Sequence, residues 1–372
     1  MLSVNEKAFL AYFIPLLGLK LMDITAENVA LKLVGIACFI YSLSHIIECN
    51  YGKKVFNVLA VLLCYSSLLV VTCGKQAMFF STVMIILMYR INLNRKIYSI
   101  LFKSGAFFLL IYVCHSYISG SAESTTRYLN GEWVEMNKRS NMLYVSYTAV
   151  LCMYLLVNRN NVTYVKLLFI ILGSILMFFF VGSRTGLLVS LFLVLMLFGF
   201  KFDLIRRNII IKWLCILSPL YSFLFCVYTG LFYEKHLWLL ILDKIQQGRI
   251  YQNSLFMHDY QILPFGQRLI EKYGENSNGE YLNLDCGYLD LLLCEGLIFA
   301  VFWVTITMVL IKYFYDRGKM VEVPILVMYT FYEITENFLP NCFLNPSLFL
   351  YGEYLYAKLC VYPEYRKITL LK

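Results

Sequence analysis

Residues 167–200 read LLFIILGSILMFFFVGSRTGLLVSLFLVLMLFGF, and Arg184 is the single charge among them. As one helix, about 34 residues at about 1.5 Å each would measure about 50 Å. That is too long for one crossing of a hydrocarbon core about 30 Å thick. The chain must turn inside the stretch, and Gly182-Ser183-Arg184-Thr185-Gly186 is where the side chains invite it. The reading is a membrane hairpin with an arginine at its mouth. A cation held there is expensive, which makes Arg184 a functional candidate.

The rest of the chain agrees with a membrane setting. Of its 372 residues 60% are hydrophobic, mean hydropathy is +0.68, and 15% are charged. A soluble domain carries about 25% charged residues. The sequence therefore predicts an all-α polytopic membrane protein, one integral membrane domain over 1–372. Apolar runs at 8–22, 31–48, 55–73, 76–92, 98–118, 143–158, 164–181, 185–202, 209–230, 286–311, 322–338 and 343–361 give about twelve expected transmembrane helices. The basic clusters Lys53-Lys54, Arg90/Arg95/Lys96, Arg159/Lys166, Lys201/Arg206/Arg207, Lys312/Arg317/Lys319 and Arg366-Lys367 fall in alternate loops. Placing them inside puts both termini in the cytoplasm. It leaves two long outer loops, 119–142 and 231–285, the second between expected spans nine and ten. Within the second, Leu237 to Ile245 is an apolar patch suited to the membrane surface.

The twelve cysteines are scattered without a Cys-x-x-Cys pair, and the four histidines have no ligand spacing, so neither a disulfide framework nor a metal site is expected. The formal charge of +9 sits mostly in short loops, where it sets orientation; no nucleic-acid partner is expected.

The candidate chemistry gathers on the expected outer side. Arg184, Arg249 in Gly248-Arg249-Ile250, and the weaker Arg268 are cations suited to phosphate oxygens. The plainer reading of Arg184 is a snorkelling residue that marks a span end, and of the other two a solvated surface. Asp285 opens Asp285-Cys286-Gly287-Tyr288-Leu289-Asp290 and is a candidate base or sugar-hydroxyl acceptor. Glu333 and Glu336 share a helix face at i, i+3, an arrangement that raises proton affinity and suits a general base, with Asn337 beside them. The competing reading is a polar cap that ends the span. Tyr251 and Tyr288 are placed where a saccharide ring stacks on an aromatic face.

Gly182-Ser183-Arg184-Thr185-Gly186-Leu187-Leu188 resembles the Ser-Arg-Thr-Gly signature of bacterial O-antigen and capsular polysaccharide polymerases, the Wzy family, and of their O-antigen ligase relatives. Gly248-Arg249, Tyr260 and the Pro264-x-Gly266 turn are similar to that family's large outer loop. Asp285-Cys286-Gly287-Tyr288-Leu289 resembles its Asp-Asn-x-Tyr-Leu element, with Cys286 in place of Asn. Glu333 to Asn337 resembles a late polar patch. His236 and His258 stand in no clear ligase motif, which favours polymerase over ligase.

The resemblance implies a C-type glycosyltransferase-like bundle in the bacterial cytoplasmic (inner) membrane, working at the outer, periplasmic face without a cofactor. Undecaprenyl-pyrophosphate-linked glycans are the implied substrates. Membrane lipid, a chain-length regulator and a flippase of the same pathway are the implied partners. In this role Arg184, Arg249 and Arg268 grip the pyrophosphate, Glu336, Asp285 or Glu333 supplies the base, and Tyr288, Asn337 and Tyr251 hold the sugar. The rival from another class is a flippase or transporter of lipid-linked sugar, for which paired broken helices in two related halves would speak. A non-catalytic scaffold accounts for the spans but not for the outward arginines.

Overall fold

The computed structural model describes residues 3–21, 40, 52–74, 76–89, 91, 93–118, 123–129, 132–138, 141–269, 273–275 and 281–359. The chain divides into two compact units. One comprises Met1–His115, Val145–Asn161 and Pro340–Lys372; the other comprises Ser116–Tyr144 and Val162–Leu339.

The expected count of twelve membrane helices is wrong. Among the described residues five helices are long and apolar enough to cross a membrane. They are α2 (Lys53–Cys73), α4 (Arg95–Ile118), α6 (Tyr164–Val181), α8 (Ile209–Phe232) and α12 (Leu297–Asp316). The chain thus has the character of a multi-pass membrane protein, with fewer full crossings than hydropathy suggests. Several apolar runs are cut short by their own side chains. α1 (Val4–Leu21) has the length but carries Glu6, Lys7 and Lys20. α3 (Ala77–Leu87), α5 (Asn141–Val157) and α7 (Arg184–Gly199) are apolar but shorter. The run at 286–311 breaks: α11 (Gly287–Asp290) passes into a π turn (Leu291–Glu295), and α12 starts only after Gly296. The run at 322–338 yields α13 (Glu322–Tyr332), and that at 343–361 starts late, as α14 (Leu348–Leu359), after Asn345-Pro346. The expected span 31–48 lies outside the described residues, apart from residue 40. The assignment of both termini to the cytoplasm assumed that all twelve runs cross, and it goes with that count.

The first unit is held by aromatic packing and by polar side chains turned onto backbone. Phe13 meets Phe343 at 5.0 Å and Phe349 at 5.2 Å between ring centroids. The Tyr12 hydroxyl donates to the Phe80 carbonyl (3.0 Å), and the Tyr356 hydroxyl to the Ile85 carbonyl (2.6 Å). Arg159 pairs with Glu353 at 3.5 Å, and Tyr98 donates to the same carboxylate oxygen at 2.8 Å.

The second unit contains the α6–α7 hairpin, α8, α12 and α13, with the 231–285 segment attached. The expected turn is present: α6 ends on Gly182 in the left-handed conformation, and Ser183 caps α7 by accepting the Gly186 N–H at 3.3 Å. A Cβ at position 186 would lie 2.2 Å from the Tyr144 ring, so the second glycine of the cluster is a packing requirement. Both long loops have structure of their own. The first holds an antiparallel hairpin, β1 (Glu123–Leu129) with β2 (Glu132–Lys138). The second holds α9 (Leu237–Gln246), α10 (Arg249–Asp259) and a short hairpin of β3 (Tyr273–Glu275) with β4 (Tyr281–Asn283). Its polar tract at 276–280 lies outside the described residues. Pro264-Phe265-Gly266 straps the helix break: the carbonyls of Leu263 and Pro264 accept the N–H groups of Leu297 and Ile298 at 3.0 and 3.2 Å, serving the otherwise open start of α12.

Candidate active site

Three segments meet around one guanidinium. Arg249 begins α10, where Gln247 and Gly248 reverse the chain with φ of 60° and 81°. The reversal is held by Asp243 on the inner face of α9. Its carboxylate accepts the N–H groups of Ile250 (2.7 Å) and Tyr251 (3.2 Å) and the Tyr233 hydroxyl (2.9 Å). It therefore caps α10 from outside the helix and fixes where Arg249 projects. Burial raises the Asp243 pKa above its ordinary 3.8, while these three hydrogen bonds pull it back.

Arg249 is buried, 6% exposed. Its Nε lies 3.3 Å from Asp285 Oδ2, and its Nη1 donates to Glu336 Oε1 at 3.0 Å and to the Thr335 carbonyl. Burial alone would ease the proton off the guanidinium, but the Glu336 and Asp285 charges outweigh it and the net shift is upward. The arginine is a fixed cation with both of these carboxylates already on it. A diphosphate would reach it only by displacing one of them.

Gly287 explains how Asp285 comes so close. Its N–H donates to the Glu333 carbonyl at 2.9 Å. A Cβ there would lie 2.3 Å from Glu333 Oε2 and 3.1 Å from the Glu336 carbonyl oxygen. The Asp285-Cys286-Gly287 segment can lie flat on residues 333–336 only because position 287 has no side chain. Glu333 itself is 1% exposed, and neither carboxyl oxygen has a hydrogen-bond partner among the described residues. Burial pushes its pKa well above the ordinary 4.5. The Phe338 N–H draws it down somewhat from outside bonding geometry, and Cys286, Glu336 and Asp290 add to the rise. Burial and the neighbouring acids thus favour the protonated form of Glu333.

Other sequence candidates are placed differently. Asn337 is half-buried and donates to the Leu284 carbonyl at 3.1 Å, tying the two acidic segments together. Tyr288 is 2% exposed, its ring against Phe223 and its hydroxyl on the Thr330 carbonyl at 3.2 Å; it is a core residue, not a stacking platform. Tyr251 is half-buried against Tyr233. Arg184 is exposed at the first turn of α7, and Arg268 is exposed beyond the strap. Among the described residues no hydrogen bond or ion pair joins either of them to the Arg249 cluster, whereas Asp285, Glu336, Glu333 and Asn337 are gathered there. Sequence reasoning missed Asp243 and the spatial role of Gly287. Asp243 looked like one polar residue in an apolar helix, and the need for Gly287 comes from a carboxyl 46 residues later in the chain.

No family model, curated protein or solved structure matches this chain. The expected C-type glycosyltransferase-like bundle thus has no structural neighbour behind it, and the likeness to polysaccharide polymerases stands on the quoted motifs.

Proposed function

We propose that this chain is a membrane glycosyltransferase that joins undecaprenyl-pyrophosphate-linked oligosaccharide repeat units into a surface polysaccharide. We place it in the bacterial cytoplasmic membrane, acting at the outer face. The observation that carries the reading is the Asp285–Arg249–Glu336 cluster, drawn from three of the four segments whose motifs resemble the polymerase family. A hydroxyl of the acceptor sugar attacks the anomeric carbon of the donor. The bond from that carbon to the phosphate oxygen breaks, and undecaprenyl pyrophosphate leaves with the electron pair. Glu336, oriented by Arg249, takes the hydroxyl proton, and the half-buried Asp285 holds the acceptor by hydrogen bonds. Arg249 keeps a fixed positive charge between the two carboxylates and holds them toward the acceptor. The exposed Arg184 and Arg268 are free to take the diphosphate before reaction.

The test uses purified protein in vesicles with lipid-linked repeat units. Arg184→Ala is expected to leave the fold within about 0.5 kcal/mol of wild type and to abolish long product, with single units accumulating. Normal product lengths in that variant remove Arg184 from the site. Labelling of cysteines introduced at positions 183 and 250 is expected from the outer side; labelling from the cytoplasmic side contradicts the assigned face.

One observation favours a second reading, a lipid or sugar transporter. α11 and α12 form a broken helix, and Asp290 (2% exposed) and Glu295 (0%) are buried at the break. The same vesicles separate the two: a transporter moves labelled lipid-linked sugar across the bilayer without lengthening it.

A further inference from the structure

We propose that α9 lies flat in the headgroup region of the bilayer, and that this lipid seat, acting through Asp243, holds Arg249 in place. The inference rests on the multi-pass membrane character of the chain and not on glycosyl transfer.

The connection sets the level of the helix. α9 follows α8, one of the five helices able to cross a membrane, after the single turn Tyr233–Lys235. A helix attached so closely to the end of a crossing starts at the membrane boundary. Its two faces then differ sharply. Leu237, Ile241 and Ile245, at i, i+4 and i+8, are 75%, 57% and 68% exposed, and Trp238 and Leu240 widen the strip. On the other face Leu239 is fully buried in a cluster with Tyr233 and Ile250, and Asp243 is buried beside it.

What covers the apolar strip is indicated by its borders. Tyr228, on α8, stacks on His236 at 5.9 Å and on Trp238 at 6.2 Å between centroids, so the strip continues an aromatic edge of a crossing helix. Farther down α8, Tyr221 and Leu224 are exposed as well. Lys235 and Lys244 are exposed at the two ends of α9, where long basic side chains reach anionic headgroups. Aromatic rings and lysines bordering an apolar strip are the features of a bilayer interface. A soluble partner helix would not require them at that level.

The inner face makes the seat consequential. Asp243 receives the first N–H groups of α10 and the Tyr233 hydroxyl, and Arg249 is the first residue of α10. Lifting α9 out of the lipid withdraws this cap and frees the turn that aims the guanidinium.

Two measurements test the proposal in the full chain, reconstituted into phosphatidylcholine–phosphatidylglycerol vesicles. The fluorescence difference between wild type and Trp238→Phe isolates Trp238. Quenching of that component by lipids brominated near the glycerol end is expected to exceed quenching by aqueous iodide several-fold. Stronger quenching by iodide overturns the seat, and so does protection from both quenchers, which means that protein covers the strip. In Ile241→Asp/Ile245→Asp, amide exchange at Ile250 and Tyr251 is expected to rise about tenfold, while exchange in α12 stays at the wild-type rate as the control for folding. Ile241→Ser serves the same purpose if the double variant does not fold. Unchanged exchange at both amides overturns the coupling. Neither measurement depends on product formation, so failure here and failure of the glycosyltransferase reading are separable.

Discussion

Arg159 and Arg249 both grip a glutamate, one in each compact unit, yet the surroundings differ. Arg159 meets Glu353 at 3.5 Å with side chains 27% and 22% exposed, under the edge of the Tyr98 ring. That pair is partly exposed, an arrangement of modest energetic value. Arg249 is buried between Asp285 and Glu336, and a third acid, Glu333, lies close by without a hydrogen-bond partner among the described residues. This second arrangement sets three acidic side chains about one buried guanidinium. Under the proposed function, that crowding of acids serves a site that moves a proton.

The contrast breaks most visibly at Arg249. Arg249→Met leaves the buried Glu336 and the half-buried Asp285 without this cation and is expected to lower stability by about 3–5 kcal/mol, read from thermal unfolding in detergent. Converting Asp285 to Asn and Glu336 to Gln in the same protein is expected to return most of that loss, because the charges are removed together. A small effect of the single change would show that the cluster is hydrated and not a buried one. Gly287→Ala comes next, at about 1–3 kcal/mol, since the new methyl group must push Glu333 and the 333–336 backbone aside. Wild-type stability in that variant would mean that the two acidic segments do not touch.

Glu333→Gln sharpens the comparison through pH. The folded-state pKa of Glu333 lies above its ordinary 4.5, so its contribution to stability is complete below that value and is lost as pH climbs through the folded one. The glutamine variant keeps a neutral side chain throughout. Its stability relative to wild type is therefore expected to improve as pH rises above 4.5, and a difference that does not change with pH contradicts a proton on Glu333. The smallest effect belongs to the first unit: Glu353→Gln is expected to cost about 0–1 kcal/mol, within reach of the same unfolding measurement.

The two regions were also unequally legible. The turn at 182–183 could be read because a 34-residue stretch with a single charge exceeds one crossing and the glycine cluster offers a place to bend. The count of crossings could not. Hydropathy measures how apolar a stretch is, whereas a helix also ends where backbone geometry stops it: at Gly296 before α12, after Tyr332, and ahead of Leu348. In the site, Arg249, Asp285 and Glu336 stood out as charges in unlikely company. That they share one guanidinium depends on contacts between residues 36 and 87 positions apart (249 to 285 and 249 to 336), which no local pattern encodes. Tyr288 was misplaced for the converse reason. Its place just after Asp285 suggests a ring open to a sugar, whereas the ring packs on Phe223 and the hydroxyl donates to the Thr330 carbonyl. Asp243 was hidden because its partners, the amides of residues 250 and 251, carry no side-chain signature.

Glu336→Gln offers the most direct trial of the catalytic account, since it retains size and hydrogen bonding while removing the base. Purified wild-type protein and the variant, each with an unfolding transition that confirms a folded chain, are incubated with lipid-linked repeat units and the products resolved by size. Our account gives a ladder with wild type and single units only with Glu336→Gln; a ladder from the variant, or none from wild type, contradicts it.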